Sequence, residues 1–259
     1  MFLCETIIIA SPENSYLIRR IILKFMPLPE STNFVPHLAY DSVVFGFSRG
    51  KLKILVMEYH DTGLFALPGG FVRKNENLDD AVKRGLFERT GLKEIYLEQV
   101  HLFGNVDRFD PATMRRILEA NGYTVPDNYW MLDRFFSIAY YALIDHEKVT
   151  LQPDTLSDSI DWYEIDKLPE LIFDHKQIVN KALLTLRENL DRKLIGGNLL
   201  PEKFTMNELQ AVYEAILGQK LRRTSFQRKM LSLDILDRHE KLFTGKSHKA
   251  PYLYSFKTH

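Results

Sequence analysis

Residues 69–92 constrain the fold of this chain more than any other segment, because they combine a glycine turn with an amphipathic helix of fixed length. The segment reads GGFVRKNENLDDAVKRGLFERTGL. Its apolar residues recur at the spacing of three and four that places them on one helix face. Gly91 supplies the left-handed residue with which many helices end. We therefore predict a turn at 68–70 and a helix from about Leu78 to Thr90. The predicted apolar stripe of this helix is Leu78, Ala81, Val82 and Leu86.

The same segment resembles a Nudix box, in which a glycine, an arginine and several glutamates recur at fixed intervals. The residues that match the pattern are Gly70, Glu76, Arg84, Leu86, Glu88, Gly91 and Leu92. Two positions that carry glutamate in the pattern carry Gly85 and Arg89 here. Nudix hydrolases use these helix carboxylates to hold Mg²⁺, which bridges a diphosphate and activates water. The resemblance therefore implies a Nudix fold, whereas the two substitutions indicate recognition without turnover.

The substitutions disfavour a metal ion for two physical reasons. Carboxylates at positions 85, 88 and 89 would share one helix face, and only Glu88 remains of the oxygen ligands that magnesium requires. A guanidinium about 5 Å from Mg²⁺ would be repelled by roughly 7 kcal/mol at an effective dielectric constant of about 20. That figure is an upper estimate because the Arg89 side chain can swing away. We therefore expect no catalytic residue, no metal site and no cofactor.

Two other interpretations of this segment stay open. The match could arise by chance in an amphipathic helix. Alternatively, the chain could be a working Nudix pyrophosphatase that acts on a nucleotide sugar or another nucleoside diphosphate derivative. Glu76 and Glu88 leave that second interpretation open, with further ligands supplied from elsewhere in the chain.

The composition is that of a globular chain whose charge is unevenly distributed. Its 259 residues are enough for two domains. The single cysteine excludes internal disulfides and is typical of a reducing cytoplasm, and no apolar run approaches the roughly 18 residues of a membrane span. We therefore expect a cytoplasmic protein with no membrane partner. Residues 201–259 contain 11 Lys and Arg and 6 Asp and Glu, a net charge of +5, so the first 200 residues carry −5. The basic tail favours a polyanionic partner.

The pattern along the chain predicts an α/β (α+β) fold. The resemblance of the box implies that it is a Nudix-like α/β/α sandwich with a mixed sheet, and a C-terminal winged helix-turn-helix domain is expected to follow. Strands are predicted at 38–47, 52–59, 63–67, 96–106, 135–144 and 160–165. A helix at 111–122 lies in what resembles an insertion at 109–132. Another helix is predicted to begin at Asp174, capped by that residue with Gln177 three positions on. Its predicted apolar face is Ile178, Val179, Ala182, Leu183, Leu186 and Leu190.

The predicted domains are an N-terminal extension at 1–35, an effector-sensing domain at 36–195 and a DNA-binding domain at 196–259. In the extension, residues 16–25 have helical spacing and could pack on the body or on a partner subunit. Alternatively, translation could begin at Met26. Two glycines and a proline at 194–204 mark the joint between the two larger domains.

The basic C-terminal segment has the order of a winged helix: helix, second helix and hairpin. Residues 205–208 form a capping box for a helix that Gly218 ends. Residues 224–227 can cap the second helix, whose Phe226, Met230 and Leu233 are predicted to face inward. A hairpin is predicted at 240–256. In a winged helix, the second helix enters the major groove of DNA and the wing touches the backbone.

Arginine and glutamine read base edges, while lysines mostly neutralise phosphates. The candidate DNA contacts are Arg222, Arg223, Ser225, Gln227, Arg228 and Lys229 on the helix and Lys246, His248 and Lys249 on the wing. The alternative is a protein-interaction scaffold whose basic module docks an acidic partner.

Together these features resemble the Nudix-related transcriptional regulators, bacterial proteins in which a Nudix-like sensor precedes a winged helix. The resemblance covers about residues 36–257. Beyond the box it rests on SIAYYAL (137–143), LPELIFDH (168–175), GNLLPEKFTMNELQAVYEAILG (197–218) and RRTSFQRKML (222–231). The chain is most similar in shape to the sugar-sensing branch of Bacteroidetes. The branch of NAD metabolism, which senses ligands of the ADP-ribose type, is second.

The resemblance implies a homodimer that binds a palindromic double-stranded DNA operator and responds to a small effector in the former substrate pocket. The implied effector is a sugar such as a pentose or a nucleotide of the ADP-ribose type. Nudix pockets lie between the sheets beside the box helix. The candidate effector contacts are therefore Arg49, Phe71, Glu88, Arg108, Arg134, Tyr140 and His175. Each has a simpler interpretation: Arg108 and Arg134 could pair with Asp107 and Asp133, Tyr140 could belong to the core, and His175 could merely start a helix.

Overall fold

Seven strands form a mixed sheet in a computed structural model that describes residues 28–191, 199–242 and 250–257. The strands are β1 (Phe34–Ser48), β2 (Lys51–Tyr59), β3 (Leu64–Ala66), β4 (Gly69–Arg73), β5 (Tyr96–Phe103), β6 (Phe136–Leu143) and β7 (Ser157–Glu164). The helices that accompany them are α1 (Leu78–Thr90), α2 (Pro111–Ala120) and α3 (His175–Asn189). The predicted helical segment at 16–25 lies outside the described residues.

The sheet has the order β3-β2-β1-β6-β5, with β4 paired to β1 and β7 paired to β2. β1 and β6 run parallel, and the remaining pairs are antiparallel. Side chains alternate between the two faces of a strand. On one face Val43, Phe45, Ile54 and Val56 join the apolar cluster of α3. On the other face Val44, Leu55 and Met57 join that of α1. The predicted α/β/α sandwich with a mixed sheet is confirmed.

The box helix matches its prediction closely. α1 spans Leu78–Thr90 and ends at Gly91, whose φ of 72° is left-handed. Ala81, Val82 and Leu86 are fully buried, and Leu78 packs against the same cluster.

Three other local features differ from the predictions: a missed strand, an early strand end and a missing helix cap. β4 was not predicted, because the pair Gly69–Gly70 indicated only a turn. β5 ends at Phe103 instead of continuing to 106, because the chain turns into a short 3-10 helix at Val106–Arg108. Asp174 makes no side-chain cap for α3, because its carboxylate accepts hydrogen bonds from Arg108 instead.

The C-terminal domain is a winged helix, as predicted. It consists of β8 (Phe204–Thr205), α4 (Met206–Leu217), α5 (Arg223–Ser232), β9 (Leu236–Lys241) and β10 (Tyr252–Phe256). Its three strands have the order β8-β10-β9. The predicted capping box is present: the Thr205 hydroxyl accepts from the Glu208 N–H, and the Glu208 carboxylate accepts from the Thr205 N–H.

Two predictions for the second helix were wrong. α5 begins at Arg223, so Thr224 lies within it and provides no cap. Phe226 and Met230 are buried as predicted, but Leu233 lies beyond the helix end and is 40% exposed.

A single apolar cluster joins the winged helix to the sandwich. Leu209, Val212 and Ile216 of α4 are fully buried in the same cluster as Val179 and Leu186 of α3. Because interiors are close-packed, a shift of α3 is transmitted to the residues packed against it. Among residues 28–191, 199–242 and 250–257, no helix is long and apolar enough to cross a membrane.

Candidate functional site

The face of α1 that would carry metal ligands is filled by the protein's own side chains. A Cβ atom at Gly85 would lie 2.2 Å from the hydroxyl oxygen of Tyr40 and 3.3 Å from Nη1 of Arg89. A Cβ atom at Gly70 would lie 2.8 Å from the same hydroxyl. Tyr40 is 2% exposed, so its ring has little room to move. Gly85 and Gly70 therefore make room for a tyrosine that enters from β1.

Arg89 is 7% exposed and does not swing into solvent. Its Nη1 donates to the Gly85 carbonyl at 2.9 Å, and its Nη2 donates to the Gly69 carbonyl at 3.0 Å. Nη2 also donates to the Asp154 carboxylate at 2.7 Å. The Met57 sulfur accepts from Nε at 3.2 Å. The guanidinium is thus fixed beside the position at which a metal would be held.

The two remaining glutamates of the box are engaged by Arg84. Arg84 makes a bidentate pair with Glu76, at 2.7 and 3.0 Å, and lies 3.5 Å from Glu88. The hydrogen bond from Arg84 is the main cause that lowers the pKa of Glu76. Glu88 points outward, with its side chain 52% exposed. With one ligand position filled by Tyr40 and another occupied by a cation, the residues present do not fit a magnesium ion.

A cavity of about 290 Å³ opens beside Arg89. Its walls are largely aromatic and sulfur-containing side chains from β1, β2, β4, the insertion and the residues that precede β6 and α3. They are Phe34, Tyr40, Met57, Tyr59, Phe71, Phe109, Met114, Met131, Phe135 and Phe173. The ring centroid of Phe71 lies 4.7 Å from that of Trp130, 5.2 Å from that of Phe135 and 5.9 Å from that of Phe34. Such a surface suits a flat, partly apolar ring.

One side of the cavity is polar and tightly bonded. Arg108 is 6% exposed and donates to both carboxylate oxygens of Asp174, at 3.0 and 3.1 Å. It also donates to the Phe135 carbonyl at 3.0 Å and lies 3.5 Å from Asp41. The Leu67 N–H donates to Nδ1 of His175 at 3.0 Å. Because Nδ1 accepts this hydrogen bond, the neutral ring carries its proton on Nε2, which lies 3.6 Å from Asp41. Burial lowers the pKa of His175.

The structure brings three of the seven candidate effector residues to this cavity, namely Phe71, Arg108 and His175. The other four do not line it. Arg49 is exposed in the turn between β1 and β2, and Glu88 points to solvent. Arg134 donates to the Gly104 carbonyl and lies over the Phe136 ring. Tyr140 is a core residue whose hydroxyl donates to Asp79 at 2.7 Å.

The simpler interpretations of Arg108 and Arg134 named the wrong partners, whereas that of His175 is confirmed. Arg108 is an ion-pair partner, but of Asp174 and not of Asp107. For Arg134, the interactions with Gly104 and Phe136 replace the anticipated pair with Asp133. His175 does begin α3, and it also lines the cavity.

Sequence reasoning missed several residues of the cavity. Tyr59 and Asp154 are separated from the box by long stretches of chain, and only the sheet pairing of β2 with β7 brings them beside it. Burial raises the pKa of Tyr59. Phe109, Met114 and Met131 come from the insertion, whose dense aromatic and methionine content was the available signal. Pro29 also reaches the cavity, held by hydrogen bonds from Tyr129 and Trp130.

A separate group of His60, Asp61 and Asp158 places one potential ligand atom from each residue within 4.8 Å of the others. It lies at the turn after β2. His60 contacts Asp158, which also accepts from the Asp61 N–H at 3.0 Å. Hydrogen bonds that join the turn after β2 to Asp158 of β7 account for this arrangement, and we assign no metal to it.

The candidate DNA contacts of α5 lie on the surface. Arg222, Arg223, Ser225, Arg228 and Lys229 are exposed, and Gln227 is half-buried. Arg222, Ser225 and Lys229 also line a groove of about 210 Å³ shared with the end of α3. There Lys229 donates to Asp191 at 2.6 Å. One predicted DNA contact is therefore already paired with the segment that follows α3.

The wing strands add two basic residues that the sequence reasoning did not single out. Arg238 and Lys241 lie over the ring of Tyr252, at 4.7 and 5.3 Å from its centroid. Tyr252 is 37% exposed, so this cation–π group faces solvent. The candidate wing-turn residues Lys246, His248 and Lys249 lie outside the described residues.

Comparisons with known proteins agree with both halves of this architecture. Residues 36–183 match the NUDIX domain, and residues 196–256 match the NrtR DNA-binding winged helix domain. The chain is 31% identical over 209 residues to the ADPR responsive transcriptional repressor NtrR of Acinetobacter baylyi, which covers 78% of this chain and 75% of the relative. It is also 28% identical over 147 residues to an ADP-ribose pyrophosphatase of Methanocaldococcus jannaschii, which covers 56% of this chain and 71% of the relative.

Among solved structures, NrtR of Shewanella oneidensis superposes with a TM-score of 0.66 at 29% identity, covering 85% of this chain and 94% of that one. The same protein in complex with a 27mer DNA gives a TM-score of 0.65 at 28% identity, covering 85% and 93%. The relative from Acinetobacter baylyi is named as ADPR responsive, whereas the sequence was expected to be more similar to the sugar-sensing branch. The chain belongs to the NrtR-like family of DNA-binding transcriptional regulators, in which a Nudix domain precedes a winged helix.

Proposed function

We propose that this protein regulates transcription in response to a nucleotide of the ADP-ribose type, which its Nudix domain binds without hydrolysing. The observation that carries the proposal is the filled metal position, where Tyr40 and Arg89 occupy the space of a missing carboxylate. The adjoining cavity remains open and has aromatic walls. The relative from Acinetobacter baylyi is described as ADPR responsive, which supports the choice of ligand class.

The effector signal is proposed to travel along α3. This helix begins with His175 at the cavity and, at a rise of about 1.5 Å per residue, extends roughly 22 Å toward the winged helix. Near its other end Arg187 donates to the carbonyl of Ile216 in α4 at 2.7 Å, and Asp191 pairs with Lys229 of α5. A ligand that draws Arg108 away from Asp174 would change the contacts at the start of α3. Through Asp191, the C-terminal end of α3 contacts α5, which carries the proposed DNA contacts.

The proposed DNA surface consists of the exposed basic residues of α5 together with the wing. The proposed form on DNA is a homodimer, because a palindromic operator presents two equivalent half-sites to two recognition helices. Size-exclusion chromatography with light scattering tests this: the mass of a monomer at DNA-binding concentrations would contradict it.

Two assays on the same preparation test the proposed function. In the first, labelled DNA from the region upstream of the protein's own gene is titrated and followed by fluorescence anisotropy, with and without ADP-ribose. We expect salt-sensitive binding to this DNA, as phosphate neutralisation requires, and a change in affinity when ADP-ribose is added. Equal binding to unrelated DNA of the same length would refute specific regulation.

In the second assay, ADP-ribose and nucleotide sugars are incubated with the protein and Mg²⁺ or Mn²⁺, and the products are separated by chromatography. The proposal expects intact substrate throughout. Turnover that scales with protein concentration would instead support the pyrophosphatase interpretation.

A further inference from the structure

Two hydrogen-bond donors converge where a metal ligand of the box helix would lie. The Tyr40 hydroxyl and Nη1 of Arg89 both come within 3.3 Å of the position of a Cβ atom at Gly85. Both residues line the cavity, as do Gly69 and Gly70. A hydroxyl and a guanidinium at one point form a site for an anionic oxygen, the group that a metal would otherwise bind.

The guanidinium is held rigidly before any ligand arrives. The Gly69 and Gly85 carbonyls fix two of its edges. Its counter-charge, Asp154, is anchored through its other oxygen, which accepts from the Leu156 N–H at 3.0 Å and the Ser157 hydroxyl at 2.7 Å. A preorganised cation loses little conformational freedom on binding, and its hydrogen bonds to phosphate are charge-assisted.

We propose that Arg89 and Tyr40 take the place of the metal ion, so that the phosphate group of a nucleotide effector binds here without any divalent cation. This inference rests on the proposed function and specifies its ligand as a phosphate-bearing nucleotide instead of a free sugar. The aromatic wall around Phe71 receives the base, and Arg89 receives the phosphate.

Isothermal titration calorimetry of the full chain with ADP-ribose tests the proposal, in buffer containing either Mg²⁺ or EDTA. The dissociation constant is expected to be the same in both buffers. Arg89→Met is expected to weaken ADP-ribose binding by about tenfold to a hundredfold, the loss of one charge-assisted hydrogen bond. Binding of adenosine, which has no phosphate, is expected to be unchanged in this variant, and that result also shows that the cavity remains folded.

Asp154→Asn is the matched control, because it is expected to change ADP-ribose affinity in the direction opposite to Arg89→Met. Asparagine keeps an oxygen for the Leu156 and Ser157 donors but removes the charge that competes for Arg89, so ADP-ribose is expected to bind more tightly. Tyr40→Phe is expected to weaken ADP-ribose binding and to leave adenosine binding unchanged.

Three results would overturn the inference: binding of ADP-ribose only in Mg²⁺, no binding of ADP-ribose in either buffer, or an equal loss of ADP-ribose and adenosine binding in Arg89→Met. In the first case the regulator would still bind its operator and respond to the nucleotide, so the proposed function would survive. Absence of ADP-ribose binding in both buffers would also remove the proposed effector, whereas absence of specific DNA binding by the unaltered protein would contradict the proposed regulatory function alone.

Discussion

Replacing Gly85 with alanine is expected to destabilise the protein, although alanine is the better helix former. Helix propensity alone favours alanine by about 1 kcal/mol. The added Cβ atom, however, would lie 2.2 Å from the Tyr40 hydroxyl, which Gly70 confines from the other side. Forcing an extra methyl group into a packed interior costs about 1–3 kcal/mol. The net expectation is therefore a loss of up to about 2 kcal/mol in the free energy of unfolding, since the buried tyrosine ring cannot turn away.

The same substitution in a Tyr40→Phe background separates the clash from other effects. Without the hydroxyl, the nearest tyrosine atom to the new Cβ is Cζ at 3.2 Å, a tight contact that a small shift relieves. Gly85→Ala is then expected to be neutral or stabilising, so the coupling between the two positions equals the cost of the clash, about 1–3 kcal/mol. Urea unfolding followed by the fluorescence of Trp130 and Trp162 measures all four proteins. Stabilisation by Gly85→Ala of equal size in both backgrounds would refute the reasoning that Tyr40 fills the ligand position.

Three further predictions concern DNA binding and pH. Arg228→Ala is expected to cost about 1–3 kcal/mol of operator affinity by anisotropy, and unchanged binding would contradict a role for this residue in the DNA surface. Asp191→Asn removes the ion pair of Lys229 and is therefore expected to strengthen operator binding and to steepen the fall of operator affinity with salt concentration. An unchanged salt dependence would show that Lys229 makes no phosphate contact. Burial lowers the pKa of His175, so below about pH 6.5 the unfolded chain takes up a proton that the folded chain excludes. The protein is therefore expected to lose stability as the pH falls below that value, and His175→Asn is expected to flatten this part of a melting-temperature profile.

The secondary structure could be predicted wherever residues close together in the sequence determine it. The box helix and its end at Gly91 depend on apolar spacing and a left-handed glycine, both visible in the sequence. The capping box of α4 depends on Thr205 and Glu208, which are three residues apart. Such features are decided within one or two turns of the chain, so no tertiary information is needed.

Some features could not be predicted because a partner far away in the sequence determines them. Asp174 has the right side chain and position to cap α3, but Arg108 forms a stronger, charge-assisted pair with it. The loss of a carboxylate at position 85 was evident in the sequence, yet its replacement by the hydroxyl of Tyr40 was not. That contact joins residues 45 positions apart through the packing of β1 on α1.

The sequence predicted where the candidate site lies, but not which residues line it. The box pointed to the correct side of the sheet, and Phe71, Arg108 and His175 lie there. Arg49 lies in the turn between β1 and β2, at the opposite end of that hairpin from the cavity. Part of the apolar wall, namely Phe109, Met114 and Met131, comes from the insertion at 109–132, whose path over the sheet no local pattern reveals.

The central claim is that the Nudix cavity holds a nucleotide intact and thereby controls DNA binding. Its most direct test follows labelled operator DNA by anisotropy while the phosphorus NMR spectrum of added ADP-ribose is recorded in the same mixture with Mg²⁺. The account predicts a change in operator affinity while the diphosphate resonances of ADP-ribose persist. Their replacement by the monophosphate resonances of AMP and ribose 5-phosphate would contradict it.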